Sequence, residues 1–170
     1  GRIDEIFAFQ DRITTAVAAV VAPRIFSAEV ARADRHKPGS PAAYDLRLRA
    51  IAALYRFTPR DNGQAIEWLE AALKIEPENG PLKGLLCWAL EMRFSFGWPR
   101  YGSDDRERCL ALAHEAVQLA EDDAFVLVQC AVAMQIVGQL YERGLHVAMR
   151  AVELNPNDVA VLAKACTAHF

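Results

Sequence analysis

Three stretches of this chain carry the same spacing of small residues, and that spacing restricts the fold more than any other feature. In Gln64 to Pro77 the residues are Ala65, Leu69, Ala72 and Ile75. In Arg108 to Glu121 they are Cys109, Ala113, Ala116 and Leu119. In Arg143 to Pro156 they are Gly144, Ala148, Ala151 and Leu154. A small residue is followed seven positions later by alanine, which is about two helical turns and puts both on one face. Such a face lets a helix lie close against two neighbours at once. Pro77 and Pro156 end the first and third stretches, as proline stops a helix and fixes the turn. One helical pair of this kind cannot bury its face alone, so the units must stack.

The rest of the chain agrees with a helical reading. Apolar residues recur at three and four, with no period-2 alternation. Breakers stand at Thr58-Pro59, Pro77 to Pro81, Gly97 to Ser103, Asp122-Asp123, Gly138 and Pro156. Thr58, Ser103 with Asp104 and Asp105, and Asn157 or Asp158 are the expected helix starts. The Asp104-Asp105 and Asp122-Asp123 pairs are read as caps rather than as general acid–base pairs. The predicted layout has an N-terminal helix and linker over 1–37, with a kink near Pro23 and a stripe of Ile6, Phe9, Ile13, Val17, Val20 and Ile25. Helical repeats occupy 38–170, as units of about 42–78, 79–122 and 123–157 and a partial unit over 158–170.

This pattern resembles the tetratricopeptide (TPR) family, whose repeat is about 34 residues long. The matching slots are Ala65, Leu69, Ala72 and Pro77, then Gly144, Ala148, Ala151 and Pro156, preceded by Tyr141. The middle unit departs from it, with Glu121 in the proline slot and about ten extra residues around Arg93 to Ser103. The resemblance implies an all-α solenoid of antiparallel helix pairs in a right-handed superhelix, with about three repeats and part of a fourth. It also implies a groove lined by first helices, onto which Trp88, Glu91, Met92, Gln129, Ala133 and Ile136 map. Trp88 is the single best aromatic anchor for a partner, although the spacing fits a core residue equally well. Cys87 and Cys166 map onto the small slot of first helices and Cys109 onto that of a second helix, so the thiols are expected reduced and buried.

The opening segment, Asp4-Glu5-Ile6-Phe7-Ala8-Phe9-Gln10-Asp11-Arg12-Ile13, is similar to a helix of multidomain bacterial signalling proteins. There it links a TolB-like domain to C-terminal TPRs, behind an adenylate/guanylate cyclase or a winged-helix DNA-binding domain. Ala43 to Arg49 and Ala65 to Pro77 look like the same architecture. The resemblance implies that the chain is a fragment of such a parent, cytoplasmic, or periplasmic where the parent has a transmembrane helix.

Composition narrows the function. The net charge of −3 offers no electrostatic footprint for nucleic acid. No apolar run approaches the roughly 20 residues that span a bilayer. Phosphate-loop, dinucleotide, zinc-protease and nucleophile-elbow motifs are all absent. His36, His114, His146 and His169 have no metal-ligand spacing, and the cysteines form no CxxC pair. The reading is therefore a non-catalytic interaction module without cofactor or metal, binding a protein or peptide and coupling it to a linked effector. Two other readings stand beside it. Phe94, Phe96, Trp98 and Tyr101, clustered with Arg93 and Arg100, form an aromatic insertion that would either bind a small ligand or fold back to plug a gap. The chain would alternatively be a dimerisation element, since Val161, Leu162 and Ala165 are expected to lie exposed at an uncapped end and to pair two copies.

Overall fold

The computed structural model describes residues 40–167, within the unit Ser40–Phe170; the expected N-terminal helix with its kink at Pro23 lies outside the described residues. The described residues form α1 (Pro41–Leu54), α2 (Pro59–Ile75), α3 (Gly80–Ser95), α4 (Asp105–Leu119), α5 (Ala124–Ile136), α6 (Tyr141–Leu154) and α7 (Val159–Thr167), with no strand among them. Three hairpins follow in order, α1–α2, α3–α4 and α5–α6, and α7 closes on the last. The first helices α1, α3, α5 and α7 pack successively on one another, and each second helix also contacts the first helix of the next pair. This is an antiparallel helix-pair solenoid.

The two layers are built from different helices. α2, α4 and α6 bury one stripe each, made of Ala65, Ile66, Leu69 and Ala72, then Cys109, Ala113 and Ala116, then Gly144, Val147, Ala148 and Ala151. α3 and α5 are buried almost all round, from Leu82 to Arg93 and from Val126 to Gln135. A helix enclosed on every side needs apolar residues on every side. The sequence GLLCWALEM and VLVQCAVAM supply them.

Close approach is measurable at the glycines. A methyl at Gly144 would stand 2.4 Å from Cγ of Gln135 and 2.9 Å from the Ala131 carbonyl oxygen on α5. At Gly84 it would meet Val126 of α5 at 2.8 Å, and at Gly80 Ala120 at 2.9 Å. Hairpin and inter-repeat crossings alike thus depend on a missing or minimal side chain. Cys87 and Cys109 serve the same crossing of α3 and α4, their sulfurs 3.8 Å apart in a fully buried setting. Cys130 is buried as well, while Cys166 is exposed, contrary to the expectation of packing, because no described helix covers that face of α7.

Four of the described helices, α2, α3, α5 and α7, are capped at their starts by side chains. Thr58 accepts from Asp61 N at 3.1 Å, Asn79 from Leu82 N at 3.0 Å and Asp123 from Val126 N at 3.0 Å. Asp158 accepts from Ala160 N and Val161 N at the start of α7. The pair Asp104-Asp105 behaves otherwise than expected. Asp104 makes no capping bond, and the Asp105 carboxylate reaches back to accept from Tyr101 N at 2.7 Å and Gly102 N at 2.8 Å. It ties down the preceding loop instead of capping α4. Val161, expected to lie exposed, is buried, because it is the residue α7 turns inward; Leu162 on the next position is exposed.

Two glycines separate packing from propensity. Gly144→Ala should cost about 1–3 kcal/mol in urea denaturation, because α5 backbone must shift to admit the methyl. Gly63→Ala in α2, where the nearest atom to a new methyl is 4.0 Å away, should stabilise by about 1 kcal/mol through helix propensity. Equal effects at the two sites would contradict the close-crossing assignment.

Candidate functional site

The first-helix layer carries an unbroken run of aromatic rings. It begins in the insertion, where Trp98 stacks on Phe96 with centroids 5.0 Å apart. Phe96 meets Phe57 edge-on at 6.1 Å, Phe57 meets Tyr55 at 6.4 Å, and Tyr55 meets Trp88 at 5.6 Å. Trp88 then meets Phe125 of α5 at 6.1 Å. Edge-to-face and offset pairs at these separations are the favoured arrangements of aromatic rings. The outer rings are open to solvent, with Phe57 52% and Phe96 54% exposed, and Phe94 beside them is 54% exposed.

Trp88 is not the exposed anchor the sequence suggested. It is 5% exposed, because Tyr55 and Phe125 pack against it and the Lys164 ammonium lies over its ring, 5.0 Å from the centroid. Met92, Gln129 and Ala133 are also buried, and Ile136 is half-buried. The residues that sequence reasoning missed are Tyr55, Phe57, Phe125 and Lys164. Tyr55 and Phe57 sit in the turn after α1, where their type reads as the tail of a helix stripe; only their meeting with Trp88 and Phe96 gives them a role.

Arg93 pins the insertion. Its Nε donates to the Pro99 carbonyl at 2.8 Å, and its Nη1 donates to Asn62 Oδ1 at 2.8 Å and to the Pro59 carbonyl at 3.2 Å. The guanidinium lies 5.8 Å from the Tyr101 ring centroid. Asn62, itself buried, donates to the Ala89 carbonyl at 2.9 Å. The loop is thereby fixed to α2 and α3, and its rings Phe94 and Phe96 are held outward. Gly97, at φ +62°, supplies the left-handed turn that ends α3. Two other described residues are left-handed: Phe57, at φ +52° in the turn after α1, and Gln139, at φ +56° in the turn after α5. An L-residue there costs about 1–2 kcal/mol.

The charged groups of this layer are few. Glu91, one turn along α3 from Trp88, is buried, and desolvation raises its carboxyl above the ordinary range; a bond from the Ser95 hydroxyl and the charge of Lys164 pull the other way. Burial lowers Lys164, and Glu91 opposes that shift. Burial also raises the Tyr55 phenol, as does the Asp158 carboxylate. Asp123 is raised by burial and drawn down by the Val126 amide it caps and by Arg47. Gln129, one turn beyond Phe125 on α5, is 1% exposed, and neither its amide oxygen nor its nitrogen has a partner. No group of three His, Cys, Asp or Glu among the described residues is placed to hold a metal ion.

Two variants check this geometry. Arg93→Ala should cost about 2–3 kcal/mol, since it strands Asn62 Oδ1 and the Pro99 carbonyl, and should raise proteolysis within 96–103. A folded-state carboxyl raised by burial disfavours the fold once pH rises through its value. Glu91→Gln should therefore be more stable than wild type at pH 7, with the difference vanishing near pH 4. Denaturation midpoints at the two pH values measure it.

No protein-family model matches the chain. Over 115 residues, 68% of its length, it is 27% identical to "Putative adenylate cyclase 3" of Rhizobium meliloti (strain 1021), and it spans 20% of that protein. Its structure is similar to the Sgt2 TPR domain from Aspergillus fumigatus, with a TM-score of 0.59, 17% identity, and 77% of this chain and 79% of that one covered. It is also similar to the first TPR of Spaghetti (RPAP3) bound to an HSP90 peptide, SRMEEVD, with a TM-score of 0.58, 16% identity, and 77% and 95% covered. Residues 40–167 have the fold of a TPR domain.

Proposed function

We propose that this chain is a non-catalytic interaction module that captures a protein segment on its first-helix layer and couples that event to a linked effector such as a nucleotide cyclase. The observation that carries the reading is Phe57. Helices commonly end on glycine at this left-handed position, as α3 does at Gly97. The turn after α1 instead holds a half-exposed phenylalanine in this conformation, in line with Phe96, Tyr55 and Trp88, whereas the turn after α5 holds Gln139, which has no ring to display. Strain retained at an exposed aromatic is the mark of a side chain kept for contact rather than for stability. Phe94 and Phe96, each 54% exposed, carry the aromatic run out to solvent, which favours a macromolecular segment over an enclosed small ligand.

The similar RPAP3 domain is bound to an HSP90 peptide, which supports a peptide as the kind of partner. The likeness to a putative adenylate cyclase over 68% of this chain supports the linked effector.

The test is Phe57→Gly. Relief of the left-handed strain offsets the lost ring contacts, so stability should stay within about 1 kcal/mol of wild type. Capture of the partner, measured by pull-down from the source cell with Met149→Ala as the control on α6, should fall at least about tenfold. Undiminished capture by Phe57→Gly would remove the aromatic surface from the function.

A further inference from the structure

We infer that the aromatic face around Trp88 is a site for a cationic side chain of the bound segment, and that Lys164 occupies it in the absence of that segment. The inference rests on the interaction reading and names the chemistry of its partner.

Three observations converge. The Trp88 ring is flanked by Tyr55 and Phe125 in T-shaped contacts, with centroids 5.6 and 6.1 Å away, and the Lys164 ammonium lies over the ring, 5.0 Å from its centroid. An aromatic face with flanking rings attracts cations through the ring quadrupole, more strongly once water is excluded. Glu91 supplies a buried carboxylate one turn from Trp88, bonded to the Ser95 hydroxyl, and Asp158 adds its field at Tyr55. Gln129 lies on α5, which packs against α3, one turn beyond the Phe125 that touches Trp88. Both ends of its amide are buried and unpaired. A buried carboxamide without a partner costs stability, and an incoming N–H donor would satisfy its oxygen.

Lys164 itself fits the part of a stand-in. It is half-buried and reaches Trp88 from α7, the short helix at the end of the described array. Its stem is flexible, so it can leave without moving the helix. The Arg47 guanidinium acts on Asp123 at the start of α5. The cation-accepting groups beside Trp88 are therefore Glu91 and the ring face that Lys164 covers. A carboxylate-rich segment would meet Glu91 and Asp158 there and be repelled. A segment that places lysine or arginine beside apolar residues meets the ring face, the carboxylate and the exposed rings of Phe57 and Phe96 together.

The test uses two synthetic peptides, one alternating leucine with lysine, the other alternating leucine with glutamate, titrated calorimetrically into the whole chain. The lysine peptide should bind, and Lys164→Ala, which removes the internal competitor, should tighten it by about tenfold. Glu91→Gln should weaken it by about tenfold or more. Lys164→Gln serves as a second variant should the alanine lose helical circular dichroism. Equal binding of the glutamate peptide, or no tightening in either Lys164 variant, overturns the cationic preference while leaving a peptide-binding module in place. Binding of neither peptide to any variant also overturns it, and capture by Phe57→Gly then decides separately whether the interaction reading stands.

Discussion

The structure depends on how closely its helices cross. At Gly144 a single added methyl would lie 2.4 Å from α5, and at Gly84 2.8 Å from the same helix. Contacts this short bring backbones together and leave no space for large side chains between layers. That is why alanine, glycine and cysteine dominate the buried stripes of α2, α4 and α6, and why the bulky core residues are concentrated in α3 and α5. Interiors packed to crystal density tolerate neither cavities nor extra methylenes, so the spacing of small residues sets the register of each hairpin and of each repeat on the next.

Close crossings place a demand on polar groups. Asn62, Arg93 and Gln129 are all buried in or beside α3 and α5. The first two satisfy each other and three backbone carbonyls, and in doing so they fix the insertion to the body of the solenoid. The insertion is thus part of the fold at its base and part of the surface at its tip. Its rings are displayed because Arg93, under them, is held by main-chain oxygens that cannot move.

Much of this was legible in the chain, and the boundary of what was legible has a physical cause. The seven-residue spacing of Ala65 and Ala72, Cys109 and Ala116, and Gly144 and Ala151 is local, so helical periodicity alone puts each pair on one face. Capping by Thr58, Asp123 and Asp158 is local too. The surroundings of Trp88 are not. Its cover comes from Tyr55 on one side, Phe125 on the other and Lys164 from α7, residues whose meeting is set by stacking of three successive repeats. A groove position counted from a repeat pattern says which face a residue occupies and nothing of what its neighbours place over it. Asp105 failed as a cap for a related reason: the loop before it presents the Tyr101 and Gly102 amides, and these compete successfully for its carboxylate.

Sequences that fold well obey local rules nearly everywhere, and their exceptions gather where something other than stability is selected. Here three exceptions share the first-helix layer. Phe57 holds a left-handed backbone that glycine would hold without strain. Glu91 keeps a carboxylate where burial opposes its charge. Gln129 buries an amide with no partner. Elsewhere the described residues include Gln139, left-handed in the turn after α5, and His114 on α4, whose Nε2 also lacks a partner. A layer assembled only to complete the solenoid would carry alanine or leucine at Glu91 and Gln129 and glycine at Phe57. Each of those replacements removes a cost, and none of them is present. On the proposed reading, these costs are retained on the face that α3 and α5 share because a partner engages the layer, and not for the packing of the solenoid.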